Sequence, residues 1–250
     1  MNKKFGFSIA EVLITLGIIG VVAAMSIPVL ISNTNGAKFR SQYKKTVSTL
    51  NQSALLSKAN FGYDFAATES VCPSSVTDAA KQHPEDAMTF CSILNGTLSG
   101  KTYYGKITNI KRQGRNGEVE YKLETRDTIP ENYTDYLAYA LNDGVIVAFH
   151  PQAKECELPM GRRPVQAVFS GEVDGANLSH CVGLIDVNGV NLPNREVTCS
   201  RGVNSIDAGS NCIVENNANA LLDVYPIVFN GASVEPASGA ARYVLDTEKF

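Results

Sequence analysis

The residue most committed to a chemistry is Glu11, an acid standing at the head of an apolar run. The 20 residues from Val12 to Ile31 carry no charge, which is enough helix to cross a bilayer core. An ionisable group beside such a run costs about 2.5–3.5 kcal/mol at mid-membrane on insertion scales, so it is normally kept with a partner. An acid there does electrostatic work, and what it neutralises decides what the chain does. The plain alternative is an interfacial glutamate reaching to the headgroups.

The second chemical group is six cysteines, Cys72, Cys91, Cys156, Cys181, Cys199 and Cys212. They are even in number, lie beyond the apolar run, and form no C-x-x-C pair. Behind a membrane-crossing segment this pattern points to disulfides in an oxidising space rather than zinc or redox chemistry, with reduced core thiols as the plain alternative. Six cysteines allow fifteen pairings. The expectation adopted is sequential: Cys72 with Cys91, Cys156 with Cys181, and Cys199 with Cys212.

Asp186, Asn188 and Asp223 are oxygen ligands of the kind calcium prefers, and Asp186-Val187-Asn188-Gly189 matches part of a calcium loop. The full EF-hand spacing is absent, and a tight Asn-Gly turn needs no metal, so no metal is favoured. His83, His150 and His180 are scattered. Nucleophile-elbow, P-loop and dinucleotide-binding motifs are missing, and Glu155 and Glu157 read as a solvated face around Cys156. No catalytic residue is expected and the chain reads as something other than an enzyme. A net charge of −3, with no basic run interleaved with aromatics, argues against a nucleic-acid partner.

These residues need elements to hold them. For the first 31 residues, three readings compete: a secretory signal cleaved near Ala24-Met25-Ser26, a plain anchor with Lys3 and Lys4 inside, and a prepilin leader. Glu11 spoils the first, since an n-region should be basic. Lys38, Arg40, Lys44 and Lys45 on the far side weaken the charge asymmetry of the second.

Lys3-Lys4-Phe5-Gly6 followed by Phe7-Ser8-Ile9-Ala10-Glu11-Val12-Leu13 resembles the leader of type IV pilins and type II secretion pseudopilins. The resemblance covers about 25 residues and implies cleavage between Gly6 and Phe7, N-methylation of Phe7, and a glutamate fifth in the mature chain, which is Glu11. It implies that Glu11 neutralises the N-terminal amine of a neighbouring subunit, so its partner is expected outside this chain. An amine and a carboxylate attract strongly in an apolar setting, while either alone bears a large desolvation cost. The implied partners are other pilin-like subunits, the prepilin peptidase and methylase, and an inner-membrane assembly platform. The implied location is the bacterial cytoplasmic membrane, single-pass, with the N-terminus inside and the head outside, then a filament after assembly.

The expected organisation is a leader at 1–6, a transmembrane assembly helix at 7–31, its amphipathic continuation at 32–60, and a disulfide-bearing head at 61–250. Pro28 should kink or weaken the helix, and residues 32–36 should loosen it again. Phe39, Tyr43, Val47, Leu50 and Ala54 recur at helical steps. In the head, a short helix broken at Pro84 is expected within Thr77–Cys91. Hairpins are expected around Asn116-Gly117 and Asn142-Asp143-Gly144. Further strands are expected at Val165–Ser170, Cys181–Val187, Asp223–Phe229 and Tyr243–Leu245. The fold class is therefore α+β, a long helix packed on an antiparallel β head. The segment Ile185–Gly189, then Pro193-Asn194, with Asp223-Val224-Tyr225 later, resembles a C-terminal motif of pilin-like secretion proteins, in some of which a C-terminal loop holds calcium. Here a loop bearing Cys199 and Cys212 separates the halves, leaving open whether they meet.

Overall fold

The computed structural model describes residues 8–115, 117–157, 179–204, 206, 211–215 and 221–247. Its first element is one 53-residue helix, α1 (Ile9–Phe61). Ser8 caps its N-terminus, and Gly62, at φ 84°, closes its C-terminus by donating its N–H to Lys58 O. The left-handed conformation there suits a residue without Cβ.

The helix runs without interruption through Pro28 and through 32–36, where the sequence predicts weakening. Proline forgoes one backbone bond, and asparagine or glycine costs about 1 kcal/mol or less apiece. A helix anchored by packing over the following six turns absorbs both. Thr34 Oγ1 also donates to Leu30 O at 2.8 Å across this stretch.

The head is built on a six-stranded antiparallel sheet. Its strands are β1 (Thr102–Lys106), β4 (Leu137–Ala140), β5 (Ile146–Phe149), β6 (Val182–Asp186), β7 (Val224–Asn230) and β8 (Ser233–Pro236), adjacent in that order. Between β1 and β4 the chain leaves the sheet to form a separate hairpin, β2 (Lys111–Gly114) with β3 (Gly117–Glu120), turning between Gly114 and Gly117. All residues of β5 and β6 are buried, so the sheet is covered on both faces at its centre.

Two short helices, α2 (Val76–Ala80) and α3 (Phe90–Thr97), precede the sheet, and α4 (Gly239–Asp246) follows it. The C-terminal half of α1 packs against α3, β8 and α4. Its buried stripe is Phe39, Tyr43, Val47, Leu50 and Ala54, the residues whose spacing marks the helix in the sequence. Tyr43 stacks on Tyr225 of β7 with centroids 4.2 Å apart and planes 13° apart. Phe65, Phe90, Phe149 and Phe229 form the aromatic centre, with Phe90–Phe229 at 5.0 Å and Phe65–Phe229 at 4.9 Å, both edge-on. Gly183 permits this packing: a Cβ there would meet Ala148 O at 2.4 Å and Phe229 Cε2 at 2.9 Å.

The six cysteines form three bonds, Cys72–Cys91, Cys156–Cys181 and Cys199–Cys212, with Cα separations of 5.5, 5.4 and 5.3 Å. The first ties the entry to α2 onto the first turn of α3, the second joins the exit of β5 to the start of β6, and the third closes a loop between β6 and β7. Loops of 13 to 25 residues closed in this way each stabilise by about 3 kcal/mol in the chain-entropy picture.

Several expected elements differ. Tyr243–Leu245 is helical, within α4: Ser238 Oγ accepts from Ala241 N at 3.1 Å, and Ala240, Ala241 and Val244 share the buried face. Three apolar residues are too few to distinguish a period of two from one of 3.6. Thr77–Cys91 holds two helix ends rather than one helix, because Thr89 caps α3 in a reciprocal pair with Ser92. β1 stops at Lys106 in a 3-10 turn, Ile107–Asn109, before the hairpin at Gly117 begins. The strand expected at Val165–Ser170 lies outside the described residues. β8 has no counterpart in the sequence reading.

Because Tyr43 is fully buried against Tyr225 while Leu55 of the same helix is 55% exposed, the two positions should separate sharply. Tyr43→Ala should lower the unfolding free energy of the detergent-solubilised protein by about 3–5 kcal/mol in urea. Leu55→Ala should change it by less than about 0.5 kcal/mol. Equal losses would mean that the helix is not held through Tyr43.

Candidate functional site

Two places carry the residues singled out in the sequence: the free half of α1, and the junction where β6 and β7 begin and end. Along the first, Ile14, Ile18, Ile19, Val22, Met25 and Leu30 are exposed around the whole circumference. Ile9–Ile27 is long and apolar enough to cross a membrane, and none of it is buried against the head. Its hydroxyls donate back to their own helix, Thr15 Oγ1 to Val12 O and Ser26 Oγ to Val22 O, each at 2.9 Å. That leaves no side-chain donor seeking water in an apolar surrounding.

In the single copy Glu11 is held by a local partner, Ser8. Its Oε2 accepts from Ser8 N at 2.8 Å and from Ser8 Oγ at 3.0 Å, while Glu11 N donates to Ser8 Oγ at 3.2 Å. This is a capping box, and its signature, a serine three residues before a glutamate, stands in the sequence as Ser8 and Glu11. In a single copy the carboxylate therefore terminates its own helix. Gly6 and Phe7 lie outside the described residues. Pro28 sits inside α1 without ending it.

At the junction, the separated halves of the C-terminal motif come together. Asp186 ends β6 opposite Val224, and Val187 N donates to Asp223 O at 3.0 Å. Asp186 Oδ1 accepts from Asn188 N and Gly189 N, both at 2.9 Å, and Oδ2 accepts from the Tyr121 hydroxyl. Asp223 Oδ1 accepts from Arg195 N at 2.6 Å and Oδ2 from Asn194 N at 3.1 Å. Asn188 Nδ2 turns to Asn191 O and Leu192 O. Asn194 reaches the junction in the left-handed region, at φ 52°.

Burial pushes the Asp186 carboxyl well above the usual range, and the nearby Asp223 pushes it further. Burial likewise raises Asp223, to about 6, against the pull of its backbone donors. Tyr121 is raised by its own burial and then by Asp186, which keeps it a hydroxyl donor. These residues do not make a calcium site. Each of the four carboxylate oxygens already receives a protein N–H or O–H, whereas calcium takes six to eight oxygens facing it. Asn194 Oδ1 is buried without a partner among the described residues, but one neutral oxygen is not a coordination shell. Nor is the cluster of Cys156, Cys181 and His180 a ligand set, since the sulfurs are bonded to one another and His180 Nε2 lies 3.0 Å from Lys154 O.

The sequence reading missed Glu196. It is fully buried, and its two oxygens accept four backbone N–H groups: Arg126 (2.7 Å), Asp127 (3.3 Å), Thr128 (2.7 Å) and Ile129 (3.2 Å). Burial raises its carboxyl and those bonds oppose the rise. Beside it, Arg195 Nε bonds Glu124 Oε2 at 2.6 Å. An acid clamping a loop about 70 residues earlier leaves no local pattern to read. A cleft of about 620 Å³ lies below, lined by Val119, Tyr121, Leu123, Tyr133, Leu192 and Pro193 among others.

Residues 1–27 match the family model described as the prokaryotic N-terminal methylation motif. No curated protein and no solved structure matches the chain. The match covers Lys3-Lys4-Phe5-Gly6 and most of the apolar run, so the segment with the capped Glu11 is similar to the prepilin segments of type IV pilins and pseudopilins.

The junction sets a pH dependence. A folded pKa raised from 3.8 to about 6 means that Asp223's contribution is complete below the unfolded value and is lost as pH rises through 6. The stability advantage of wild type over Asp223→Asn should therefore shrink between pH 4 and pH 7 in thermal unfolding. A gap that stays constant over that range would show that the carboxyl does not titrate there.

Proposed function

We propose that this chain is a pilin-like structural subunit, inserted with its N-terminus in the cytoplasm, cut between Gly6 and Phe7 by a prepilin peptidase, and methylated at Phe7. Its apolar helix then moves from the cytoplasmic membrane into a filament, either a type II secretion pseudopilus or a type IV pilus, on an inner-membrane assembly platform. The observation carrying this reading is the joint one: a prepilin motif at 1–27 lies on a helix whose apolar circumference the head leaves uncovered. Such a surface belongs in lipid or among like helices. Three disulfides suit a head delivered to an oxidising compartment.

Within a filament, Glu11 exchanges a local partner for a distant one. Cleavage before Phe7 creates an amine with a reference pKa of about 7.7–8.0, cationic at neutral pH. The amine of a neighbouring copy then competes with Ser8 for the Glu11 carboxylate, and pairing of two charges out of water sets the register of one subunit on the next. On this reading Glu11 is an assembly residue and the chain performs no catalysis.

A second reading, a minor subunit at the filament tip that primes assembly or touches a substrate, is favoured by the size of the head, residues 61–250, and its disulfide-closed loop. A membrane-tethered binding or adhesive module is the rival from another class.

Gly6→Ala should leave an uncut precursor, detected by mass and N-terminal sequencing; unchanged trimming with cleavage near Ser26 rules the prepilin reading out. Glu11→Ala or Glu11→Val should be processed yet fail to enter filaments. Normal filaments from either variant would show that the amine–carboxylate pair is dispensable.

A further inference from the structure

The four cations Lys38, Arg40, Lys44 and Lys45, which blur the charge asymmetry of the N-terminal segment, have no part in cleavage or in the Glu11 pairing. Their placement is fixed by the continuity of α1. The 26 residues from Val12 to Ala37 carry no charge. As unbroken helix they extend about 39 Å at 1.5 Å per residue. A bilayer is about 40–45 Å thick with its headgroup layers and about 30 Å without them. With Glu11 at one surface, Lys38 stands at the headgroup layer of the other. Arg40 follows about 3 Å higher and Lys44 about 9 Å higher, within roughly one screening length at physiological salt.

Orientation adds to position. Helical side chains lean toward the helix N-terminus, which here is the membrane side, so these cations reach back toward the phosphates. No acid follows Glu11 anywhere on α1. Around the collar, Arg40 Nε donates to Val244 O at 3.3 Å, Lys45 pairs with Asp143 at 2.8 Å, and Asp246 of α4 pairs with Arg242. Lys38 is exposed and Lys44 half-buried, and neither is in an ion pair among the described residues. The remainder of the chain has the opposite sign: residues 61–250 hold 15 Lys and Arg against 24 Asp and Glu, a net of −9.

We infer that Lys38 and Lys44, flanked by Arg40 and Lys45, form a cationic collar that binds an anionic phospholipid surface on the side of the membrane where the head lies. This rests on the first half of α1 spanning the membrane. The collar is drawn to the lipid phosphates while the acidic head is repelled by them, so the unassembled subunit stands upright on its helix. Assembly into a filament then requires these contacts to be given up.

The test uses the full-length chain in vesicles of phosphatidylcholine with phosphatidylglycerol, and spin-labelled forms of each lipid to report which one the protein holds at its boundary. Selectivity for the anionic lipid should fall in Lys38→Gln/Lys44→Gln by about 30-fold, the equivalent of about 1 kcal/mol for each of the two cations near an anionic surface. It should fall similarly in wild type at 1 M salt and be retained in Lys38→Arg/Lys44→Arg. Lys3 and Lys4 are common to all variants, so the difference belongs to the collar. Unchanged selectivity in the glutamine variant overturns the inference. So does loss of cross-linking between copies in that variant with lipid selectivity intact, which would assign the collar to the acidic face of a second copy. Failure of Gly6 cleavage would leave this measurement untouched and count against the prepilin reading alone.

Discussion

A helix about 80 Å long, by its 53 residues at 1.5 Å each, has half its length packed on a head and half that none of the described residues of its own chain covers. Most of what the molecule does follows from that imbalance. Fully burying one Val, Leu or Ile side chain is worth about 1.5–3 kcal/mol relative to leaving it in water. The free half presents ten such residues from Ile9 to Ile27, all exposed in the single copy. Water is therefore an untenable surrounding for it, and the choice narrows to lipid or other helices. The same surface satisfies both, which is what the proposed passage from membrane to filament requires.

The packed half is held to the head at three places along the helix. Tyr43 against Tyr225 fixes the helix to β7, one strand in from the edge of the sheet. Asn51 Oδ1, accepting from Val234 N at 2.6 Å, fixes it to the outermost strand. Lys58 with Asp64 at 2.7 Å closes the distal end. The head behind these contacts is stapled at three points, and its least sequence-local region is secured by buried carboxylates that each take several backbone donors. Such carboxylates are strongly destabilising when one partner is removed and contribute to a unique arrangement when all are present.

The features legible in the sequence were those with a short period or a local signature. The helical steps of Phe39, Tyr43, Val47, Leu50 and Ala54 placed the packed stripe, and the Asn-Gly and Asp-Gly turns placed two hairpins. The six cysteines bond in sequence order as the oxidising reading expected. The capping box of Ser8 and Glu11 has an equally local signature, a serine three residues before a glutamate. Interactions bridging long separations were not readable. Glu196 holds residues 126–129, and Tyr121 reaches Asp186, through contacts that only the folded sheet creates. Short elements such as α4 were lost for a different reason, since a run of three apolar residues fits either period.

The loop between Arg195 and Asp223 is tied off at its base. Arg195 N reaches Asp223 Oδ1, Asp223 N reaches Arg195 O at 3.1 Å, and Glu196 and Val224 are bridged alongside. The ends of the excursion are thus held by the sheet itself, and between them the Cys199–Cys212 bond and the buried Val197, Ile206 and Val214 anchor part of the loop. Lengthening a flexible loop costs only about 0.6 kcal/mol per doubling. The exposed Val203 of this stretch therefore accepts an insertion more cheaply than the scaffold beneath it. It is the natural position for a surface that distinguishes one such subunit from another, and the place to graft a foreign epitope for display.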